Sequence, residues 1–208
     1  MLAHPRRTLG PAVLALALAL GLAAPDARAK SLDTSLSATK TAQKLALVRQ
    51  KVQAAVALHK TPVVVFDVDD TLRRVFGGHQ VPGAAAYVNT LLQDGATVIY
   101  QCGRKESQRA TTTTQLTSLG IPIGPNAQLW LKPQNVSLSA VEWKKSQKPQ
   151  LKALGKLVSF FDNEKCNARM FRKEFPSSCV FRLNTRSYYP DPGGTGTIWV
   201  IDNYCPTN

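Results

Sequence analysis

Three carboxylates stand directly after a strongly hydrophobic stretch of the sequence. Residues 63–66 read Val-Val-Val-Phe, and Asp67, Asp69 and Asp70 follow within four positions. The β-branched and aromatic run predicts a buried strand, and clustered charge at its end is costly unless something neutralises it. Because alternate side chains of a strand share a face, Asp67 and Asp69 can point into one pocket, where their oxygens suit Mg²⁺. A single aspartate at this place would favour a solvated loop, but three carboxylates directly after a buried strand favour a functional site.

Residues 66–72 read Phe-Asp-Val-Asp-Asp-Thr-Leu and resemble motif I of the haloacid dehalogenase-like (HAD) superfamily. In the phosphatases of this superfamily the first aspartate is the nucleophile and the second is the general acid/base. The resemblance therefore implies that Asp67 forms a phospho-aspartate, and that Asp69 protonates the leaving group and then activates water. The residue types suit this chemistry, because a metal ion screens the repulsion between a carboxylate and a phosphoryl group and a second carboxylate moves the proton.

The sequence Cys102-Gly103-Arg104 follows a second predicted strand and resembles motif II of the same superfamily. The resemblance implies that Cys102, Gly103 and Arg104 bind phosphate, the first two through their backbone N–H groups and Arg104 through its positive charge. Cys102 stands where the superfamily has serine or threonine, and a thiol is a weak donor, which lowers the expected rate. A nucleophilic thiol is the alternative interpretation of Cys102, and it is disfavoured because no histidine lies nearby in the sequence.

A second apolar stretch ends in Phe-Phe-Asp-Asn and resembles motif IV. The resemblance implies that Asp162 completes the Mg²⁺ site begun by Asp67 and Asp69. The superfamily usually has a second acid adjacent or four to five residues later, where this chain has Asn163 and Asn167. Because an amide carbonyl can bind Mg²⁺ directly or through water, Asn163 is the fourth predicted ligand.

The resemblance also implies a lysine ahead of motif IV that neutralises the nucleophile and the transferring phosphoryl group. Lys144 has the best placement, 18 residues before Asp162. Lys148 is the second candidate and Lys145 the third. Most lysines on a helix are solvated, so this assignment depends on spacing alone.

Predicted strands and helices alternate along the chain, which favours an α/β fold. We predict a three-layer α/β/α sandwich with a mainly parallel, HAD-type Rossmann-like sheet and an added C-terminal edge strand. The carboxyl ends of the central strands would then gather Asp67, Asp69, Cys102 and Asp162 at one crevice. The predicted strands are 62–66, 96–101, 127–131, 157–161, 179–183 and an antiparallel edge strand at 197–201. The predicted helices are 31–59, 83–93, 107–119, 141–154 and 168–175.

Little room is left for a cap domain over this crevice. Only residues 73–81 separate Leu72 from Pro82, and this turn-rich segment resembles the small flap of HAD proteins. Residues 104–143 must also supply a helix and a strand, so they can hold only a small insertion. The resemblance therefore implies a capless or minimal-cap enzyme with an open site.

The N-terminus has the pattern of a targeting segment. Arg6 and Arg7 form a basic start, residues 12–24 are an apolar run too short to span a bilayer comfortably, and 27–29 read Ala-Arg-Ala, a cleavage-site pattern. We expect a signal peptide at 1–29, export to the periplasm or secretion, and no membrane span after its removal. A retained membrane anchor is the alternative.

Residues 30–208 are predicted to form a single HAD-like hydrolase domain, with a helical segment at 30–60 and a catalytic core at 61–208. Removing the signal peptide takes away three arginines and one aspartate, so the formal net charge falls from +13 to +11. A basic surface favours anionic partners, and a merely solvated surface is the alternative. Nucleic acid is unsupported as a partner, because the charges lack the interleaved aromatics of a strand-binding groove.

All four cysteines lie after the predicted signal peptide, and export permits disulfides. Four cysteines allow three pairings. Cys166 and Cys179 flank a predicted helix of roughly ten residues, about 15 Å long, which keeps them too far apart for a bridge. Cys179 begins the fifth strand and Cys205 follows the antiparallel sixth, so we predict a Cys179–Cys205 disulfide. Cys102 and Cys166 are then free, or form a redox-sensitive pair on the active-site side.

The predicted function is a Mg²⁺-dependent phosphomonoester hydrolase that works through a phospho-aspartate outside the cytoplasm. Its substrate would be a phosphorylated small molecule or a macromolecular phosphomonoester. Cys102 and the missing second acid motivate one alternative, a weak or inactive relative that binds phosphate or a partner. A second alternative is a phosphotransferase or a nucleotide-directed phosphatase, which is compatible with the open site and the net charge of +11. The sequence does not specify the substrate or the oligomeric state.

Overall fold

A computed structural model of the chain describes residues 38–75, 77–183 and 200–206. The strands are β1 (Pro62–Phe66), β2 (Thr97–Lys105), β3 (Ala127–Lys132), β4 (Lys156–Asp162), β5 (Cys179–Leu183) and β6 (Val200–Tyr204). The helices are α1 (Ala38–Ala57), α2 (Ala84–Gln93), α3 (Arg109–Ser118), α4 (Ala140–Ser146), α5 (Lys148–Leu154) and α6 (Lys165–Glu174). A 3₁₀ turn at Glu106–Gln108 precedes α3. The strands form one sheet in the order β3-β2-β1-β4-β5-β6.

Helices cover both faces of this sheet. Side chains of β1 alternate between two packed cores, as the pleat of a strand requires. Val64 and Phe66 lie in a core with residues of α1, α2 and α3, whereas Val63 and Val65 pack with residues of α5 and α6. Strands β1 to β5 run parallel, and β6 runs antiparallel at the edge beside β5. The predicted three-layer sandwich with an added edge strand is therefore confirmed.

The strand order places β1 between β2 and β4. Parallel strands end at the same edge of a sheet, so the residues after β1 lie beside the ends of both neighbours. The backbone N–H of Asp67 donates to the carbonyl oxygen of Phe161 at 2.9 Å, which extends the pairing of β1 with β4 by one residue. Sheets of this kind bind ligands at the carboxyl edge, and here that edge carries the acidic motifs.

Strand β2 is longer than the sequence predicted. The expected strand at 96–101 ended before Cys102, but β2 continues to Lys105 because its neighbour β3 pairs with it along this length. The register shifts between Cys102 and Lys105. Gly103 lies so close to α4 that a Cβ atom there would come within 2.9 Å of the Ala140 Cβ atom. The predicted phosphate-binding residues thus belong to the strand itself rather than to a loop after it.

The helix predicted at 141–154 is in fact two helices, α4 and α5, which meet at Gln147. Ser139 begins α4 with a reciprocal cap, because its hydroxyl accepts from the backbone N–H of Glu142 and the Glu142 carboxylate accepts from the Ser139 N–H. Pro149 stands in the first turn of α5. Since proline has no N–H to bond to the preceding turn, it cannot continue a helix from α4.

The segment between β1 and α2 is a compact turn. Asp70 adopts a left-handed backbone conformation with φ of 54°, and its N–H donates to the carbonyl oxygen of Arg73 at 2.7 Å. Arg73 forms an antiparallel bridge with Gln80, and Asp70 Oδ1 accepts from the Val75 N–H at 3.0 Å. The described part of this segment is a small flap with no inserted domain.

A disulfide joins Cys179, at the start of β5, to Cys205, which follows β6. This is the predicted pairing, and it ties the antiparallel edge strand to the parallel sheet. Cys102 is buried and Cys166 is exposed, and both are free thiols.

Several sequence predictions fall outside the described residues. These include the signal peptide at 1–29, the first part of the helix predicted at 31–59, and the start of the edge strand predicted at 197–201. The edge strand that is described begins at Val200 and continues to Tyr204. None of the helices in the described ranges is long and apolar enough to cross a membrane.

Candidate active site

The ammonium group of Lys144 lies between two aspartates at the carboxyl edge of the sheet. Its Nζ atom is 2.5 Å from Asp67 Oδ1 and 2.7 Å from Asp162 Oδ2. The side chains of Lys144, Asp67 and Asp162 expose only 1%, 9% and 0% of their surfaces. Lys145 and Lys148, the other two predicted candidates, pair instead with a glutamate on α6. Lys144 is therefore the candidate lysine that contacts the predicted nucleophile.

Neighbouring elements hold this contact in place. Gln101 of β2 donates from Nε2 to the backbone carbonyl oxygen of Lys144 at 3.2 Å, which fixes α4 against the sheet. The turn after β1 brings the Thr71 hydroxyl back over Asp67, where it donates to Oδ2 at 3.3 Å. Both carboxylate oxygens of Asp67 are thus engaged, and its direction is set by the fold.

Asp162 is oriented by the start of α6. Its Oδ1 atom accepts from the backbone N–H of Glu164 at 2.7 Å, and its Oδ2 atom accepts from Asn167 Nδ2 at 3.0 Å. Asn167 is buried and occupies one of the positions where the superfamily resemblance places a second acid. In this chain that position donates a hydrogen bond to the carboxylate.

The three buried charges do not balance. Two carboxylates share one ammonium group, so one negative charge is left over at Asp67 and Asp162. Burial raises the pKa of Asp67 to about 7; the charge of Lys144 opposes this increase and the charge of Asp162 adds to it. Burial alone would lower the pKa of Lys144, but the two carboxylates raise it above its ordinary value, so this lysine stays charged.

Asp69 points to a different partner. Arg104 donates to its two oxygens from Nε and Nη2, at 2.8 Å and 2.5 Å. The remaining Nη1 atom donates to Thr112 Oγ1 at 3.0 Å and to Gln115 Oε1 at 2.7 Å, both on α3. Arg73 approaches Asp69 from the flap, with Nη1 at 4.0 Å. Arg104, predicted to bind phosphate, is therefore bonded to the predicted acid/base.

The Cys102 thiol lies beside this pair. Its Sγ atom is 3.7 Å from Asp69 Oδ2, and the residue is 1% exposed. Burial, together with the charges of Asp67 and Asp69, raises the pKa of Cys102 to about 12. Because the thiol stays protonated at neutral pH, the nucleophilic interpretation of Cys102 has no physical support.

Two of the four predicted magnesium ligands come together. Asp67 and Asp162 touch the same ammonium group, whereas both oxygens of Asp69 are taken up by an arginine. Asn163 follows Asp162 and is partly exposed. Within the described ranges, no group of three His, Cys, Asp or Glu side chains is arranged to hold a metal ion. The pair still suits a hard dication, because its oxygens carry one more negative charge than Lys144 balances.

Solved structures share this arrangement of strands and helices. The class C acid phosphatase from Bacillus anthracis matches with a TM-score of 0.50 and 17% identity, over 62% of this chain and 64% of that chain. A chain of the Pnkp1/Rnl/Hen1 RNA repair complex matches with a TM-score of 0.53 and 18% identity, over 62% of this chain and 44% of that chain. This chain has the same α/β fold as these structures.

This shared fold agrees with the HAD resemblance carried by the sequence motifs. A second structure of the Pnkp1/Rnl/Hen1 complex matches with a TM-score of 0.51 and 21% identity, over 59% of this chain and 46% of that chain. The match therefore spans less than two thirds of each of these structures. No family model and no curated protein matches the chain. At such low identity the likeness concerns the fold, so the activity has to be argued from the site.

Some residues of the candidate site were not predicted from the sequence. Thr112 and Gln115 hold the far side of Arg104, and Thr112 belongs to a run of four threonines that suits a helix poorly. In the sequence, this helix-poor run is the one feature that indicates a tertiary contact made by α3. Asp70 was counted with the acidic cluster, but its carboxylate bonds to the flap.

Proposed function

We propose that this chain is a Mg²⁺-dependent phosphomonoester hydrolase that forms a phospho-aspartate on Asp67. The observation that carries the proposal is the contact of Lys144 Nζ with both Asp67 and Asp162. A carboxylate that attacks a phosphoryl group needs a fixed positive charge beside it, because both reactants are anionic. The HAD-like fold adds support, since a class C acid phosphatase has it.

In the proposed reaction, an oxygen of Asp67 bonds to phosphorus as the ester P–O bond breaks. The leaving oxygen takes a proton from Asp69. Asp69 then removes a proton from water, and the resulting hydroxide attacks phosphorus, which releases inorganic phosphate and restores the Asp67 carboxylate. Lys144 stabilises the negative charge that collects on the phosphoryl oxygens throughout.

Asp67 and Asp162 would hold the metal ion, with Asn163 as a further oxygen donor. When bound, Mg²⁺ supplies positive charge that screens the phosphoryl group from the attacking carboxylate. Asn167 and the Glu164 N–H keep Asp162 in one orientation, which is the supporting role that ligand carboxylates usually require.

The second group of residues has its own proposed roles. Arg104 keeps the Asp69 carboxylate facing the leaving group, and we treat it as a positioning residue because its donors are engaged within the protein. The backbone N–H groups of Cys102 and Gly103 are the proposed phosphate contacts. The Cys102 thiol contributes little as a donor.

We further propose that the enzyme acts outside the cytoplasm, in the periplasm or after secretion. The Cys179–Cys205 disulfide supports an oxidising compartment. The sequence pattern of a signal peptide at 1–29 supports the same location.

Hydrolysis of an aryl phosphate by the mature protein tests the proposed function. We expect turnover with Mg²⁺, loss of turnover with EDTA, and a fall of roughly a thousandfold or more for Asp67→Asn, because the nucleophile is removed. Asp94→Asn is the matched control, since Asp94 lies at the opposite edge of the sheet and pairs with Arg49. After an acid quench, mass spectrometry should find phosphate on the peptide that contains Asp67. Turnover that survives Asp67→Asn would contradict the mechanism.

A second candidate is a relative that binds phosphate without turning it over. Two observations favour it: Cys102 replaces a hydroxyl residue, and both oxygens of Asp69 are taken up by Arg104. In that case the protein would bind Mg²⁺ and inorganic phosphate in a calorimeter but hydrolyse no aryl phosphate at any pH. Turnover in the assay above excludes this candidate.

A further inference from the structure

A basic pocket of about 200 Å³ lies between α6 and the last two strands of the sheet. Its lining includes four cationic side chains, from Lys165, Arg169 and Arg172 on α6 and Arg182 on β5, and the ring of Tyr204 on β6. The volume corresponds to the liquid volume of about seven water molecules. The pocket therefore has room for a small anionic group.

The spacing of the cations on α6 builds this pocket. Lys165, Arg169 and Arg172 follow one another at intervals of four and three residues, so they lie on one face of the helix. Phe171 and Asn167 lie buried on the inner side, towards the sheet. Arg172 is held in place because its guanidinium stacks 4.3 Å from the centre of the Tyr204 ring.

The residues that line the pocket carry only positive charges, and the nearest acidic residue in the strand register is Asp202, which pairs with Arg182 between β5 and β6. None of its lining side chains is acidic, and within the described part of the chain neither Lys165 nor Arg169 forms an ion pair. By contrast, Arg49 and Arg109 each pair with a carboxylate. Like charges at this helical spacing repel one another, and a bound anion would offset that repulsion.

The pocket begins one strand away from the candidate active site. Arg182 is the direct register partner of Asp162 in the pairing of β4 with β5, and neighbouring strands lie about 5 Å apart. Arg182 Nε also donates to the backbone carbonyl oxygen of Asn163 at 3.4 Å. Asp67 follows β1, which is separated from β5 by β4, so Arg182 lies about 10 Å from the end of β1, two strand spacings away. A molecule that spans this distance could contact both the candidate active site and the pocket.

From this placement we infer that the pocket binds a second phosphate group of the substrate, so that molecules with two phosphates are preferred over simple monoesters. The inference rests on the proposed function for the first phosphate. Arg169 and Arg172 supply guanidinium donors, which suit phosphate oxygens, and Lys165 adds a positive charge at the first residue of α6.

Paired substrates test the inference. Adenosine 3′,5′-bisphosphate is compared with adenosine 3′- and 5′-monophosphate, and fructose 1,6-bisphosphate with both fructose monophosphates, because the two scaffolds separate their phosphates differently. At least one bisphosphate should have a kcat/KM about tenfold or more above its monophosphates. Lys165→Gln/Arg169→Gln should abolish this preference. The control Lys152→Gln/Lys156→Gln also removes two charges, but near the amino end of β4, and should keep the preference.

A binding measurement separates this inference from the proposed function. Calorimetry on the Asp67→Asn variant measures its affinities for the same compounds. This measurement does not depend on whether the wild type hydrolyses them. A preference for a bisphosphate that disappears in the Lys165→Gln/Arg169→Gln variant supports the pocket even if no hydrolysis is found. Equal affinity for mono- and bisphosphates on both scaffolds overturns the inference. So does an oligonucleotide without terminal phosphates that binds as tightly as the bisphosphate, because the pocket would then serve a nucleic-acid backbone.

Discussion

Arg104 engages both carboxylate oxygens of Asp69, at 2.8 Å and 2.5 Å, and its remaining nitrogen is bonded to Thr112 and Gln115. A guanidinium used in this way has few donors left for a substrate. In the proposed mechanism, Arg104 therefore acts through the orientation of Asp69. This differs from the direct phosphate contact that the sequence implied for Arg104.

Arg104→Gln should lower kcat by about 10- to 100-fold and leave KM nearly unchanged, because the loss falls on proton transfer by Asp69 rather than on substrate binding. Arg104→Lys should recover only part of the rate, since an ammonium group cannot hold both oxygens in the same geometry. Steady-state kinetics over a range of pH provide the measurement.

Arg109→Gln is the control for this prediction, because Arg109 is half exposed and pairs with Glu106. Its kinetics should resemble those of the wild type. A rise in KM with kcat unchanged in Arg104→Gln would instead mean that Arg104 binds the phosphate directly.

Lys144→Met should destabilise the fold as well as abolish turnover. The substitution leaves Asp67 and Asp162 buried beside each other without a positive charge, and removing one partner of a buried pair typically costs about 3–5 kcal/mol. Urea denaturation in EDTA measures the free energy of unfolding. Lys145→Met is the control, since the side chain of Lys145 is 58% exposed and its unfolding midpoint should stay near that of the wild type. A Lys144→Met protein as stable as the wild type would show that the buried contact does not form.

Much of the central site could be predicted from the sequence. Strand-like runs that end in acid predicted that Asp67 and Asp162 would lie at neighbouring strand ends, and the superfamily resemblance selected Lys144 by its spacing. These residues are fixed by the strand order and by one helix. Local pattern and topology are therefore sufficient to bring them together.

The direction of Asp69 could not be predicted in the same way. Asp69 lies in a turn in which the next residue, Asp70, adopts a left-handed backbone conformation that is uncommon for residues other than glycine. Its partner Arg104 lies in a strand that continues beyond its predicted end. Both features depend on packing between distant segments, which a strand or helix pattern does not encode.

Thiol labelling tests the burial of Cys102. Native protein treated with iodoacetamide should take up one label, at Cys166, because Cys179 and Cys205 are bridged and Cys102 is buried with its pKa raised to about 12. Peptide mass mapping identifies the labelled residue. Cys166→Ser should take up no label, and Cys102→Ser should still take up one. Two labels on the native protein would mean that the Cys102 thiol is open to solvent.

The stability of the metal-free protein should depend on pH through Asp67. Burial raises its pKa from an ordinary value of 3.8 to about 7, so between these values the folded protein holds a proton that the unfolded chain releases. The contribution of this group to stability is therefore complete below about pH 4 and is lost as the pH rises through 7. The free energy of unfolding should fall by on the order of 4 kcal/mol across this window, since each pKa unit corresponds to about 1.4 kcal/mol.

The difference in the free energy of unfolding between the wild type and Asp67→Asn isolates this effect, because the other titrating groups contribute equally to both proteins. Urea denaturation of each protein in EDTA, at intervals from pH 4.5 to 7.5, should give a wild-type advantage that shrinks as the pH rises. Excess Mg²⁺ should restore stability to the wild type at pH 7.5 and much less to Asp67→Asn, since the variant lacks one carboxylate ligand. A difference that grows with pH in EDTA would mean that Asp67 is charged and fully compensated by Lys144 in the folded state.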